Sequence, residues 1–210
     1  MKKIVDRFDY DLMTLSKSDL EYSPINQFKK WFNEAVDRVV EPNAMVLSTS
    51  DQNGNIESRV VLLKEFNSRG FIFYTNYNSL KAQNLFMNSN VSLCFFWADL
   101  QRQIRINGIA KKISQKKSLT YFNSRPRQSQ ISAWASQQSH LVFDRCELEN
   151  RFKYFNQKFD GKKIKKPSFW GGFNVNPKSI EFWQGRSNRL HDRFKYTKKN
   201  SKWLIDRLAP

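Results

Sequence analysis

The sequence predicts one α+β domain built around a barrel-like antiparallel sheet. Three observations carry this. Apolar runs of period two follow one another across short turns between residues 44 and 113. Helical patterning fills residues 114–159, and strand patterning returns from 171 to the end. Consecutive strands joined by short turns favour an antiparallel sheet over alternating β-α-β units. A chain of 210 residues suits one sizeable domain.

In order, residues 1–22 are polar and mixed and read as a mobile N-terminal arm, leaving 23–210 as the domain. Ser23-Pro24 reads as an N-cap followed by proline at the first helical position. Phe28, Trp31, Phe32, Ala35, Val36 and Val39 then form a helical stripe that Glu41-Pro42 ends. Strands are expected at 44–50, 58–63, 71–75, 91–97 and 103–113, with turns at Asp51-Gln52-Asn53-Gly54 and Arg69-Gly70. Ser79 caps a short helix carrying Ala82, Leu85 and Phe86. Helices are expected at 118–122, 130–135 and 141–159, followed by a basic connector at 162–167. Strands return at 171–175, 180–183, 193–197 and 203–206, with a hairpin turn at 198–200.

Hydrophobic residues make up 40% and aromatics 15%, enough for a packed core and against wholesale disorder. The formal net charge is +17, which suits an anionic partner. The lysines sit in short doublets such as Lys111-Lys112 and Lys165-Lys166, as a background lysine bias also produces, and no basic arm appears. A nucleic-acid reading therefore rests on charge alone. Cys94 lies in an apolar run and reads as a core thiol; neither it nor Cys146 has metal-ligand spacing, so no metal is expected. Acidic residues interrupt Lys2-Lys3 before any signal-peptide core forms, and no run reaches membrane-spanning length. A cytoplasmic protein without membrane attachment is the expectation.

Several stretches carry chemistry. Arg59-Val60-Val61-Leu62-Leu63-Lys64 has a cation at each end of an apolar strand, and period two puts the cations on opposite faces. Tyr74-Thr75-Asn76 ends a strand that feeds a helix opening at Ser79-Leu80-Lys81, a natural anion site if Ser79 does more than cap. Tyr121 through Ser129 sets a phenol, Arg125, Arg127 and Ser129 around a proline; it reads either as a second phosphate grip or as a helix end with Ser129 capping the next helix. Gln137-Gln138-Ser139 offers uncharged donors and acceptors. Near the end, Phe182-Trp183-Gln184-Gly185 and Arg189-Leu190-His191-Asp192-Arg193 bring together a flat apolar face, guanidiniums and an imidazole. There is no glycine-rich phosphate loop and no nucleophile elbow, so hard chemistry would come from an organic cofactor. Two anion grips beside a flat face suit two phosphorylated aromatic molecules.

These motifs, with Phe73-Tyr74-Thr75-Asn76, Arg102-Gln103, Pro167-Ser168-Phe169-Trp170-Gly171-Gly172 and the terminal Asp206-Arg207-Leu208-Ala209-Pro210, resemble the pyridoxine (pyridoxamine) 5′-phosphate oxidase family from about Arg7 to Pro210. The resemblance implies a split-barrel fold and a homodimer with FMN at its interface. It implies oxidation of pyridoxine or pyridoxamine 5′-phosphate to pyridoxal 5′-phosphate, with O2 as acceptor, giving H2O2 and, from the amine, ammonia. Matched by position, the FMN contacts fall on Arg59, Val60, Val61, Leu62, Leu63, Lys64, Tyr74, Thr75, Lys81, Gln103, Gln138, Ser139, Trp183 and Arg193. The substrate phosphate site falls on Lys64, Tyr121, Arg125 and Ser129, and Arg189 and His191 match the residues over the pyridine ring. Arg7 and Tyr10 match an arm that covers substrate. One departure stands out: the family usually has a cation directly before the matching lysine, where this chain has Leu80. A missing charge-assisted donor costs about 1–3 kcal/mol, so weaker FMN retention is expected. A non-catalytic split-barrel carrier of FMN or pyridoxal 5′-phosphate is the alternative; the intact Arg189/His191 pair weighs against it.

Overall fold

The computed structural model describes residues 9–210. Its framework is a nine-stranded sheet of β1 (Ala44–Ser50), β2 (Ile56–Leu62), β3 (Glu65–Asn67), β4 (Gly70–Asn76), β5 (Asn90–Trp97), β6 (Arg102–Lys112), β7 (Trp170–Gln184), β8 (Asp192–Lys199) and β9 (Lys202–Leu208). The strand order is β2-β1-β5-β6-β7-β4-β3, with β8 on β7 and β9 on β8. Every pairing is antiparallel. Among the described residues, five α-helices flank it: α1 (Pro24–Val36), α2 (Leu80–Met87), α3 (Gln115–Ser124), α4 (Arg127–Ala135) and α5 (Arg145–Lys158). None of the described helices is long and apolar enough to cross a membrane.

The sheet curls because β7 serves two partners on one side. Its first part, Trp170 to Val175, pairs with β4, and its last part, Ser179 to Gln184, pairs with β8, while β6 runs along the other side. The two strands expected at 171–175 and 180–183 are thus one. A register shift at Asn107/Gly108 faces Pro177, which has no N–H for the ladder; a bulge is where proline is tolerated inside a sheet.

Alternation decides which face of the sheet is packed. Met45, Leu47, Leu93, Phe95, Ile104 and Ile106 point into the core, where α1 inserts Phe28 and Trp31. Phe28 meets Phe71 and Phe66 edge-on, each at 4.9 Å, and Trp31 meets Phe182 at 5.2 Å. Truncating a buried phenylalanine of this kind to alanine costs about 3–5 kcal/mol. A second cluster, Phe122, Ile131, Ile164 and Trp170, ties the α3–α5 layer to the sheet.

Three expectations are corrected, and part of the arm is placed. The helical stripe stops at Val36, before Val39. Helix α4 starts at Arg127 with Pro126 at the N-cap position, so Ser129 lies in its first turn and caps nothing. Cys94 sits on the outward-facing parity of β5 and is only partly buried, because the register places it opposite Val46 and Arg105. From Asp9 onward the arm lies against the sheet: Leu15 is buried, and its N–H donates to Asp192 at 3.1 Å. Arg7 lies outside the described residues.

Candidate active site

Two cavities share a wall formed by Leu62, Tyr74, Arg125 and Trp170. The larger, about 670 Å³, is lined by β2, the end of β4, the start of α2 and the 136–139 loop. The smaller, about 390 Å³, is lined by Lys64, α3 and the start of α4.

Besides Arg125 on the shared wall, the cations of the larger cavity are Arg59 and Lys81. Arg59 lies on β2 opposite Leu47, and Lys81 is the second residue of α2. The Lys81 side chain is buried and its ammonium donates to Ser79 Oγ at 3.3 Å. No carboxylate among the described residues lies within ion-pair distance of it. Burial above all, and then the Arg59 charge, push its pKa down to about 8. A buried cation without a counter-charge is unfavourable, and an anion brought into the cavity relieves it. Arg59 donates to Thr49 Oγ1 and to Glu57 Oε2, each at 2.7 Å. The loop is stitched on by Thr75 to Gln138 at 3.3 Å and by the Leu80 N–H to Ser139 Oγ at 3.3 Å. Phosphate suits the cationic end, and the flanking amides and hydroxyls suit a polar chain or heterocycle edge; these residues fit FMN.

The smaller cavity gathers all four residues matched to the substrate phosphate: Lys64, Tyr121, Arg125 and Ser129. Arg125 Nη1 is buried without a hydrogen-bond partner. Burial lowers the Arg125 pKa, opposed by the nearby Tyr121. An orphaned guanidinium donor is costly, and a phosphate or carboxylate completes it. The wall between the cavities is a slab of near-parallel rings: Tyr74 and Tyr121 stack at 3.9 Å and Tyr74 and Trp170 at 5.4 Å. Arg125 lies 4.7 Å over Trp170, and Lys166 fixes that residue by donating to its carbonyl at 2.7 Å. Burial, then Glu65, raises the Tyr74 pKa to about 12, so the slab stays neutral.

The closing cluster lies elsewhere on the chain's surface. Register places Gln103, Trp183 and Arg193 side by side across β6, β7 and β8. None of them, nor Tyr10, Arg189 or His191, lines either cavity. The Trp183 and His191 rings are 4.6 Å apart, and Tyr10 meets both edge-on, at 5.7 and 5.8 Å. Gly185 makes room for Tyr10, since a Cβ there would lie 2.7 Å from its ring. His191 Nδ1 accepts the Arg186 N–H at 3.1 Å, which leaves the neutral ring with its proton on Nε2. Arg189 is exposed, and it and Asn188 take left-handed backbone, φ 62° and 57°. For arginine that costs about 1–2 kcal/mol, the sort of strain that concentrates at functional sites. Arg193 is held by Glu181 at 2.8 Å and donates to the Ala209 carbonyl at 2.7 Å. Asp192 accepts from Leu15, Arg186 and Arg207, and so braces the loop.

Within one chain, the matched residues therefore fall into two groups. Leu63 joins neither: its side chain is in the core. Sequence reasoning missed Glu57, Glu181 and the slab role of Trp170. Glu57 was findable, since two residues along a strand is the same face as Arg59. Glu181 was not, because its contact with Arg193 depends on strand register.

Residues 32–159 match the model of the pyridoxamine 5′-phosphate oxidase family, and residues 170–210 match a pyridoxine 5′-phosphate oxidase C-terminal dimerisation region. A pyridoxine/pyridoxamine 5′-phosphate oxidase of Trichormus variabilis is 48% identical over 97% of this chain and 96% of its own. One of Nostoc punctiforme is 47% identical over 100% of this chain and 99% of its own. Among solved structures, PhzG from Burkholderia lata, crystallised with tetrahydrophenazine-1-carboxylic acid, superposes with a TM-score of 0.90 at 29% identity, covering 97% of this chain and 100% of that one. A pyridoxamine 5′-phosphate oxidase-related FMN-binding protein of Nostoc punctiforme, 14% identical, shares the fold at a TM-score of 0.71 over 90% of this chain and 98% of its own. With the split-barrel architecture, the paired cavities and near full-length identity all in agreement, the chain belongs to the pyridoxamine 5′-phosphate oxidase family.

Proposed function

We propose that the protein oxidises pyridoxine 5′-phosphate and pyridoxamine 5′-phosphate to pyridoxal 5′-phosphate, with FMN as cofactor and O2 as terminal acceptor, releasing H2O2 and, from the amine, ammonia. The observation that carries this is the pair of cation-lined cavities sharing one aromatic wall, an arrangement that suits two phosphorylated aromatic ligands lying together. FMN, when bound, supplies the hydride acceptor that the side chains lack. Arg59 and Lys81 hold its phosphate, while Thr75, Gln138 and Ser139 meet its polar groups. Lys64, Tyr121, Arg125 and Ser129 hold the substrate phosphate, so that binding energy far from the reacting carbon positions that carbon. Arg189 supplies a positive charge over the pyridine ring. His191, with Nε2 as the protonated nitrogen, donates a hydrogen bond and fixes the ring's orientation.

The closing cluster lines neither cavity of its own chain, and residues 170–210 match a dimerisation region. We infer a homodimer in which Trp183, Arg189, His191 and Arg193 of one protomer close the cavities of the other. The test is oxygen uptake by FMN-loaded protein with each substrate. Turnover with either supports the oxidase; bound flavin with no turnover on either leaves a carrier.

A further inference from the structure

We propose that Glu57 is an internal counter-anion that competes with a bound phosphate for Arg59, and so sets how tightly the larger cavity holds a phosphorylated ligand. The inference rests on reading that cavity as the flavin phosphate site.

A carboxylate is out of place in an anion site, yet Glu57 lines this cavity beside Arg59 and Lys81. It stands two residues before Arg59 on β2, so the pleat brings both side chains to one face. Its Oε2 accepts from Arg59 Nη2 at 2.7 Å, and Arg59 Nη1 is engaged by Thr49 at the same distance. Both terminal nitrogens of the fork thus already serve protein groups. A phosphate approaching Arg59 has to share the fork with Glu57 and meets its like charge across a short gap. Arg59, Lys81 and Glu57 together carry a formal charge of +1, set against about −1.5 to −2 on a phosphomonoester, and the third cation of the lining, Arg125, stands on the wall shared with the smaller cavity. Leu80, on the same lining, adds no charge.

Glu57 also has a stabilising role. The charges of Arg59 and Lys81 repel, and Glu57 offsets that repulsion, favouring the charged form of Lys81. The Glu57 side chain is 46% exposed on an edge strand. Exposure keeps the pair weak and lets Glu57 turn to solvent when a phosphate arrives. The site therefore trades affinity for a pre-assembled pair of cations.

The experiment compares flavin fluorescence quenching on titrating FMN, and separately riboflavin, into the flavin-free full chain and its Glu57→Gln variant. E57Q should bind FMN about two- to fivefold more tightly, in the range of an exposed ion pair, and bind riboflavin unchanged because it has no phosphate. The difference for FMN should shrink in high salt. Inorganic phosphate should displace FMN from E57Q at lower concentration than in competition with parental Glu57. Unchanged or weaker FMN binding by E57Q overturns the proposal, as does equal tightening for FMN and riboflavin. Failure of the parental chain to bind FMN at all would instead sink the flavin reading of the cavity.

Discussion

The two groups of candidate residues differ in how their charges are met. Around the cavities, Lys81 is buried without a carboxylate partner among the described residues and Arg125 holds an orphaned Nη1, so these two cations wait for an anion, while Arg59 is met only by the half-exposed Glu57. In the closing cluster, Arg193 is paired with Glu181, while Arg186 and Arg207 are paired with Asp192. One region holds cations that lack counter-charges; the other is satisfied internally and carries Trp183 and His191. Only Arg189 there is exposed and unpaired among the described residues, on strained backbone. Binding energy should therefore reside in the first region and orientation in the second.

The strongest break of this comparison is a complementation test. Arg125→Met and His191→Ala should each reduce activity at least about a hundredfold, from lost charge-assisted bonds in one and lost positioning in the other. Mixed and reassembled, the two inactive variants should recover about a quarter of the parental rate, because half the dimers are mixed and each has one intact site. No recovery, with mixed dimers verified by mass, would place both groups in one protomer's site.

Glu181→Gln probes the wall. It leaves Arg193 without its charge partner, and FMN affinity should fall about tenfold, within the range for a charge-assisted bond. If affinity holds and only the melting temperature drops, Glu181 supports the sheet and not the flavin contact.

Protonation gives a smaller, signed effect. The Lys81 pKa is about 8 in the fold, against an ordinary value of 10.5. Between these values the unfolded chain holds more protons than the folded one, so the unfavourable burial of this charge is relieved and stability from this residue rises with pH. A bound phosphate favours the charged form, so FMN affinity should decline from about pH 8 upward, with proton uptake on binding at that pH measurable by calorimetry. An FMN affinity flat from pH 7 to 9.5 would remove Lys81 from the grip. The smallest expected effect is from Leu80→Arg, which should tighten FMN several-fold by adding a donor to the same lining. Equal affinities would show that the departure at this position is silent.

Local features were legible because local rules govern them. The Ser23-Pro24 helix start, the turn with Gly54 at φ 83° and the junction where β4 feeds α2 all depend on a few adjacent residues. Arg59 and Lys64 line different cavities, but not by alternation: Lys64 lies past the end of β2, and both parities of that strand line the larger cavity. Each of the helices expected between 114 and 159 exists, with boundaries moved by a few residues because tertiary packing decides where a helix frays.

Tertiary structure decided what long-range pairing controls. By itself the sequence determined which cations and hydroxyls are available to a phosphate, where the turns fall and that strands follow one another without crossovers. It left open that β7 is one strand serving two partners, that Tyr74, Tyr121 and Trp170 stack as one slab, and that Glu181 meets Arg193. It also left open the separation of the Trp183–Arg193 cluster from the two cavities of its own chain. The physical reason is the same in each case. Register and layer packing join residues that lie from a dozen to more than a hundred positions apart, and no local propensity encodes which strand or helix a side chain will face.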